Sequence, residues 1–336
     1  MKKKYILQLF NMENELLIKN AFEITSKYFN KKIFVRGLIE FSNYCVRNCF
    51  YCGLRRDNKN LQRYRMDIEE IFQTAKQIID LGIKTVVLQS GDDFYYTEDM
   101  ICRIIEKIKK YSKDVAITLS IGERKNESYK KFYDAGADRF LLKHETSNEE
   151  LYNKIHPGMN FKRRKEILFL LKEIGFQVGA GNIVGLPEQN LEDIIDDIIF
   201  MKELDVDMAG IGPFIPQKDT PFKDFPKGDF NLVLKTLAIT RIVLKTPNLP
   251  ATTATVSLFD DEMKKVEILK KCFLSGANVV MVSFTPENYK KNYKIYDQRK
   301  SLNLKIIKQA AENLGLELSF ERGDSLKKCI LQHQKV

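Results

Sequence analysis

A helical stripe that stops at glycine and is followed within a few residues by a short apolar run recurs along this chain. That recurrence limits the architectures open to it more than any other feature. Asp67-Ile68-Glu69-Glu70 reads as a helix start, an N-cap carboxylate with an acid three residues on. Ile68, Ile71, Phe72, Ala75, Ile78 and Ile79 then form one apolar stripe, and Gly82 ends it. The run from Lys84 to Gln89 comes next, short and apolar, as a parallel strand covered on both faces should be. Ala135-Gly136-Ala137-Asp138 leads in the same way to Arg139-Phe140-Leu141-Leu142, Ile174-Gly175 to Phe176-Gln177-Val178, and Ser275-Gly276-Ala277-Asn278 to Val279-Val280-Met281-Val282.

Completing the series predicts eight strands, near residues 34–41, 84–89, 115–120, 138–143, 176–184, 207–213, 249–255 and 278–283. Eight alternating units imply an α/β fold, a (β/α)8 TIM-type barrel with an N-terminal helix over residues 13–29 and a C-terminal helical extension. A six-unit partial barrel is the structural alternative. The expected division is 1–32 for the N-terminal extension, 33–298 for the barrel and 299–336 for a final helix, a short run from Leu316 to Phe320 and a basic tail. In such a barrel chemistry belongs at the C-terminal ends of the strands.

Just past the first strand stand Cys45, Cys49 and Cys52, spaced C-x3-C-x2-C, with Tyr51 before the last. Four thiolates normally hold a [4Fe-4S] cluster, so three leave one iron open to a further ligand. Zinc competes for three thiolates, but a structural zinc site wants a fourth Cys or His at regular spacing, and His144 is far downstream. The motif resembles the cluster motif of the radical S-adenosylmethionine (SAM) enzymes, in which the amine and carboxylate of SAM chelate the open iron.

Cys102, Cys272 and Cys329 show no framework spacing and read as inert core thiols, which points to a reducing compartment. The basic opening is followed by an apolar run too short for a signal segment, and no stretch is long enough to span a bilayer. A cytoplasmic protein without a membrane partner is expected. The net charge of +10 is spread through mixed-sign helices without a nucleic-acid-binding signature. It reads as a solvated surface, with no nucleic-acid partner.

The strand ends can be matched to the needs of SAM. Ser90-Gly91-Asp92 lets backbone carbonyls approach an ammonium. Thr118 and Ser120 share a face of the third strand, and alternation puts Arg139, Lys143 and Glu145 on one side of the fourth. There a carboxylate suits two ribose hydroxyls and a cation suits a carboxylate. His144 reads as a surface or packing histidine rather than a ligand. Ile183 and Val184 suit the flanks of an adenine ring, and Thr252 and Thr253 with Tyr289, Tyr293 and Tyr296 suggest a polar pocket.

Closer resemblance comes from the run Cys49 to Asn58, Leu88-Gln89-Ser90-Gly91, His144-Glu145-Thr146, Gly179-Ala180-Gly181, Val184-Gly185-Leu186-Pro187, the run Gly210 to Pro216, and Pro250-Ala251-Thr252-Thr253-Ala254. Together, over roughly residues 35–296, they resemble the E-type (HydE) family of [FeFe]-hydrogenase maturases. The resemblance implies one [4Fe-4S] cluster on Cys45, Cys49 and Cys52, with Glu145 on the SAM ribose, Arg164 on the methionyl carboxylate, Ser90 to Asp92 on the amine, and Tyr51 beside the cofactor. It implies a substrate pocket of Ser90, Thr118, Arg139, Lys143, Thr252, Thr253, Met281 and Tyr293. Reductive SAM cleavage would give a 5′-deoxyadenosyl radical that acts on a cysteine-bound iron carbonyl cyanide precursor during H-cluster assembly. The partners implied are that small organometallic or cysteine-derived substrate, an electron donor such as ferredoxin or flavodoxin, and other hydrogenase maturases. Lys143 stands where the family often has Arg, which exchanges a bidentate fork for a point charge. The tail lacks the Cys-rich stretch that carries a second cluster in some members. The alternative is a radical SAM synthase or mutase for a small metabolite, of the biotin synthase or methylornithine synthase type.

Overall fold

Asp67 caps its helix as its spacing implies. Its side chain accepts from the Glu70 N–H at 2.7 Å, the Glu70 carboxylate accepts from the Asp67 N–H at 2.8 Å, and helix Ile68–Asp80 begins there. The computed structural model describes residues 3–259, 264–297, 299 and 302–327. Within them the strands are β1 (Lys32–Ser42), β2 (Thr85–Ser90), β3 (Ala116–Ser120), β4 (Arg139–Leu141), β5 (Gln177–Ala180), β6 (Ile183–Val184), β7 (Met208–Ala209), β8 (Gly212–Pro213), β9 (Val279–Ser283) and β10 (Glu317–Ser319). β1, β2, β3, β4, β5 and β7 pair in that order, all parallel, and β9 pairs with β1 from Phe34↔Val279 to Leu38↔Ser283. Helices between them cover the outside, so the strands are buried on both faces, as a barrel requires.

The ring closes through very little strand. Where residues 249–255 were expected to form the seventh strand, two isolated bridges, Met208↔Asn248 and Pro250↔Val279, join β7 to β9. Pro250 has no N–H to give a ladder. Two residues later the Thr252 hydroxyl accepts from the Thr255 N–H at 3.3 Å and starts helix Thr253–Ser257. The fifth and sixth expected strands are each divided in two. A Cβ at Gly181 would stand 2.0 Å from the Gly210 carbonyl oxygen, so only glycine lets the two chains cross there. Beyond the crossing, β6 and β8 continue as a separate parallel pair at the rim.

Two helices lead into the barrel. Asn14–Phe29 matches the expected one, and Lys3–Phe10 occupies the opening that the sequence reading left without structure. Ile6, Leu9, Leu17 and Ala21 from this pair belong to the same apolar cluster as the barrel strands.

The C-terminal segment seals the other end. β10 runs parallel to the start of β1, from Lys32↔Glu317 to Phe34↔Ser319. The chain then crosses beneath the strands, where the Phe320 carbonyl accepts from the Lys84 N–H at 2.8 Å and the Gly323 carbonyl from Asn248 Nδ2 at 3.0 Å. Asp324 Oδ1 accepts from Arg139 Nη2 and from Gln177 Nε2, both at 2.7 Å, and Arg322 Nη2 reaches Asp138 Oδ1 at 2.7 Å. Burial opposes the charge of Asp324, but Arg322, Arg139 and Gln177 outweigh it and hold its carboxyl well below the usual range. Its contribution to stability is therefore present above pH ~4 and is lost as the pH falls through that lower value. Arg139 is buried, so Asp324→Ala strands a guanidinium and is expected to cost roughly 3 kcal/mol in urea unfolding at neutral pH. A loss of under ~0.5 kcal/mol, the size of an ordinary surface change, would show that this plug adds nothing to the barrel.

Candidate active site

The cysteine loop leaves β1 at Ser42 and is tied down on several sides. The Val46 N–H donates to the Asp92 carbonyl at 3.0 Å, the Phe50 N–H to Ile155 O at 2.9 Å, and the Gly53 N–H to Ile295 O at 2.7 Å. Gly91 passes so close beneath it that a Cβ there would lie 2.3 Å from Tyr44 O and 2.7 Å from Cys45 Cβ. Cys45, Cys49 and Cys52 all face one cavity of about 360 Å³ that enters the barrel from this end. Among the described residues no three His, Cys, Asp or Glu side chains converge closely enough to hold a single metal ion. Burial pushes Cys45 up to about 11 and Cys52 up to about 12, and raises Cys49 well above its ordinary value. Their thiolate form needs positive charge inside the cavity, which an iron cluster supplies.

A chain of alternating charges borders the thiols. Arg47 Nε donates to Asp92 Oδ2 at 2.6 Å, Arg47 Nη2 lies 3.4 Å from Glu123 Oε2, and Arg164 Nε donates to Glu123 Oε1 at 2.7 Å. Arg164 also donates to the Lys143 carbonyl. It stands in the first turn of helix Phe161–Ile174, which Asn160 caps through the Arg163 N–H. Burial works against its charge, but Tyr152 and Glu123 outweigh burial and hold the guanidinium protonated. Past β4, Glu145 adopts a left-handed backbone (φ 62°) and its N–H donates to Gly181 O at 3.0 Å, with Lys143 Nζ 2.9 Å from its Oε2. A non-glycine residue held in that conformation costs of order 1 kcal/mol, and here the neighbouring strands impose it.

Tyr51 turns its hydroxyl to His156 Nε2 at 2.9 Å, while His156 Nδ1 is 2.9 Å from Tyr152 O. Burial, with Arg164 nearby, lowers His156 to about 3, so the ring is neutral. The unfolded chain takes up this proton near pH 6.5 and the folded one does not until near pH 3, so stability falls as the pH drops through that interval. Wild type should lose about 2 kcal/mol more than His156→Gln between pH 7 and pH 5. Urea titrations of both proteins at the two pH values measure the difference, and equal losses would place the proton elsewhere.

Most of the expected site residues meet here. Tyr51, Ser90, Gly91 and Asp92 line the cavity beside the thiols, Lys143, Glu145, Arg164 and Ile183 line its flank, and Thr252, Thr253, Met281 and Tyr293 line the far wall. Asp92 Oδ2 accepts from Arg47 Nε and from the Glu123 N–H, and its carbonyl accepts from the Val46 N–H. Val184 does not line the cavity. It alternates with Ile183 on β6 and turns into the apolar core. Thr118 and Arg139 do not line it either. They pair in register at the opposite end, beside the C-terminal plug. Alternation puts residues 139 and 143 on one side, but Arg139 begins β4 and Lys143 lies two residues past its end, a difference in depth that alternation does not reveal.

Of the surface and packing alternatives, His144 takes the second, fully buried beside Asp197 and Phe200. Cys102 and Cys272 lie away from the cavity, and Cys329 falls outside the described residues. The sequence reading missed Arg47, Glu123, His156 and Arg299. Glu123 directly follows β3 and its Gly122 and was open to the strand-end rule. Arg299 pairs with the fully buried Glu40 of β1 and stands over the Tyr293 ring, 5.3 Å from its centroid, contacts without any local signal.

The Radical SAM superfamily model matches residues 39–201, which include the three cysteines, the Asp92–Glu123–Arg164 chain and Glu145. The [FeFe] hydrogenase maturase subunit HydE of Thermotoga maritima is 50% identical over 283 residues, 84% of this chain and 79% of that protein. The chain belongs to the HydE family of radical SAM enzymes. A 3-methylornithine synthase of Methanosarcina acetivorans is 28% identical over 92% of this chain and 88% of its own length. The crystal structure of methylornithine synthase (PylB) superposes with a TM-score of 0.83 at 26% identity, over 95% of this chain and 94% of that one. The HydE family thus shares its barrel with small-metabolite enzymes, and the barrel alone does not name a substrate. Family membership implies a [4Fe-4S] cluster and SAM as cofactors. No helix of the described residues is long and apolar enough to cross a membrane.

Proposed function

We propose that this chain cleaves SAM reductively and acts on a cysteine-bound iron carbonyl cyanide precursor during assembly of the [FeFe]-hydrogenase H-cluster. The observation that carries the proposal is a single cavity running from Cys45, Cys49 and Cys52 to Thr252, Thr253 and Tyr293, in a chain 50% identical to a HydE maturase. In this reading the three cysteines hold one [4Fe-4S] cluster. When bound, the cluster and SAM supply one-electron cleavage of a sulfonium C–S bond, which yields methionine and a 5′-deoxyadenosyl radical.

The chain's own groups bind, orient and exclude water. Glu145, held by its strained backbone, accepts from ribose hydroxyls. Arg164 spends two of its donors on Glu123 and Lys143 O and has others for the methionyl carboxylate. The carbonyls of the Ser90–Asp92 turn receive the amine. Ile183 packs on the adenine, and Tyr51, fixed by His156, closes the side next to the thiols. At the far wall Thr252 and Thr253 offer hydroxyls and Tyr293 a phenol, already bonded to Gln89 Nε2 at 3.1 Å, for a polar, cysteine-derived ligand. Lys143, ion-paired with Glu145, adds a point charge. Thr118 and Arg139 then act at a distance, by holding the barrel floor. Residues 33–298 form the catalytic unit in this reading, with 1–32 and 299–336 as extensions. A ferredoxin or flavodoxin supplies the electron, and other maturases receive the product.

The test is 5′-deoxyadenosine formation by the anaerobically reconstituted, reduced protein, with and without a cysteine-bound iron dicarbonyl cyanide complex. Strong stimulation by the complex is expected. Cleavage that ignores the complex would move the substrate to a small metabolite of the methylornithine or biotin kind.

A further inference from the structure

We infer that the surface formed by Val46, Phe94 and Tyr95 is the docking face for a small acidic one-electron carrier protein. The inference rests on the radical SAM reading, because each cleavage consumes one electron delivered from outside. Val46 directly follows Cys45 and is 41% exposed, and Phe94 and Tyr95 on the adjoining turn are 55% and 56% exposed. The two turns are joined by the Val46 N–H donating to Asp92 O. Three exposed apolar side chains beside a ligand cysteine form the kind of patch that marks a contact site.

The aromatics are held rather than loose. The Arg65 guanidinium lies 4.5 Å from the Tyr95 ring centroid and 3.7 Å from that of Tyr44, and Arg124 lies 5.0 Å from that of Phe94. Rings fixed in this way lose little freedom on binding. The charges around them are sorted by depth. Asp93, 2% exposed, accepts from Arg65 and Ser42 beneath the surface, and Asp92 accepts from Arg47. The half-exposed guanidinium groups of Arg65, paired with Asp93, and Arg124, donating to Asp93 O, border the rings, and exposed Arg56, whose backbone N–H donates to Arg47 O, stands on the far side beside its partner Asp57. An apolar centre bordered by Arg56, Arg65 and Arg124, with the nearest carboxylate of Asp93 buried beneath it, matches an acidic partner. In the transfer, one electron leaves the reduced carrier, which is oxidised by one, and enters the cluster on Cys45, Cys49 and Cys52. No bond forms or breaks and no proton moves in that step.

The experiment is a titration of the cluster-loaded protein with an acidic flavodoxin at low and high salt. It compares wild type with the double variant Phe94→Glu/Tyr95→Glu and with Arg56→Glu. The expected result is a Kd raised at least about tenfold in the double variant and less in Arg56→Glu, with wild-type binding weakened by salt. Dithionite-driven SAM cleavage should be unchanged in all three proteins, while flavodoxin-driven cleavage falls with the affinity. Equal binding by wild type and the double variant, or no binding by wild type, would overturn the inference. So would self-association of the wild type that Phe94→Glu/Tyr95→Glu abolishes. A wild type that binds flavodoxin but does not cleave SAM with dithionite would strike the proposed function and leave the docking result standing.

Discussion

Cys45→Ala is expected to lose both the bound iron and SAM cleavage, with activity down at least ~100-fold, since even outer-shell partners of a metal site reach that range. Three half-buried thiols with raised pKa values line one cavity, and their thiolate forms would be stabilised there by the positive charge of bound iron. With one thiol removed, the remaining pair cannot hold a cluster that already has an open iron. Iron and sulfide content and 5′-deoxyadenosine yield, measured after anaerobic reconstitution, report the two effects separately. Cys102→Ser is the control. Cys102 is half-buried on helix Glu98–Tyr111, away from the cavity, and both readouts should stay at wild-type levels. Full cleavage by Cys45→Ala would sink the cluster assignment.

Gly91→Ala should be nearly as damaging to catalysis without unfolding the chain. The added methyl would meet a backbone oxygen, Tyr44 O at 2.3 Å, and the Cys45 Cβ at 2.7 Å, neither of which can swing aside as the tip of a side chain can. Relief requires the Tyr44-Cys45 segment to shift by about 1 Å, and a displacement of that size at a reacting centre costs ~100-fold in rate. The stability loss should be only ~1–3 kcal/mol, as for other overpacked sites. Gly82→Ala separates sterics from backbone strain. Gly82 has φ +83° but nothing within 4 Å of a new Cβ, so that variant should lose about 1 kcal/mol of stability and no cleavage rate. Wild-type cleavage by Gly91→Ala would show that the cysteine loop tolerates displacement.

Much of this protein could be read along the chain because its signals are local. Helix stripes, their glycine stops and the short apolar runs depend on residues within one or two turns of each other. The order of the βα units and the place of Cys45, Cys49 and Cys52 after the first strand follow from them. The same local rules erred where closure intervened. The seventh strand is reduced to bridges at Asn248 and Pro250, since Pro250 has no N–H for a ladder and Thr252 caps a helix two residues later. Arg139 has the same facing as Lys143 yet belongs to the barrel floor, since facing repeats every two residues while depth grows with every residue.

By itself the sequence determined the class of fold, the three-thiol site and the end of the barrel where it lies, all of which rest on periodicity and short spacing. Only the tertiary structure decided which charges neutralise one another. The links from Arg47 through Asp92 and Glu123 to Arg164, from Tyr51 to His156, and from Arg139 to Asp324 join residues far apart in the chain. A buried charge takes whichever partner the closed barrel brings within reach, and that choice is made by the packing of distant segments rather than by any pattern within one of them.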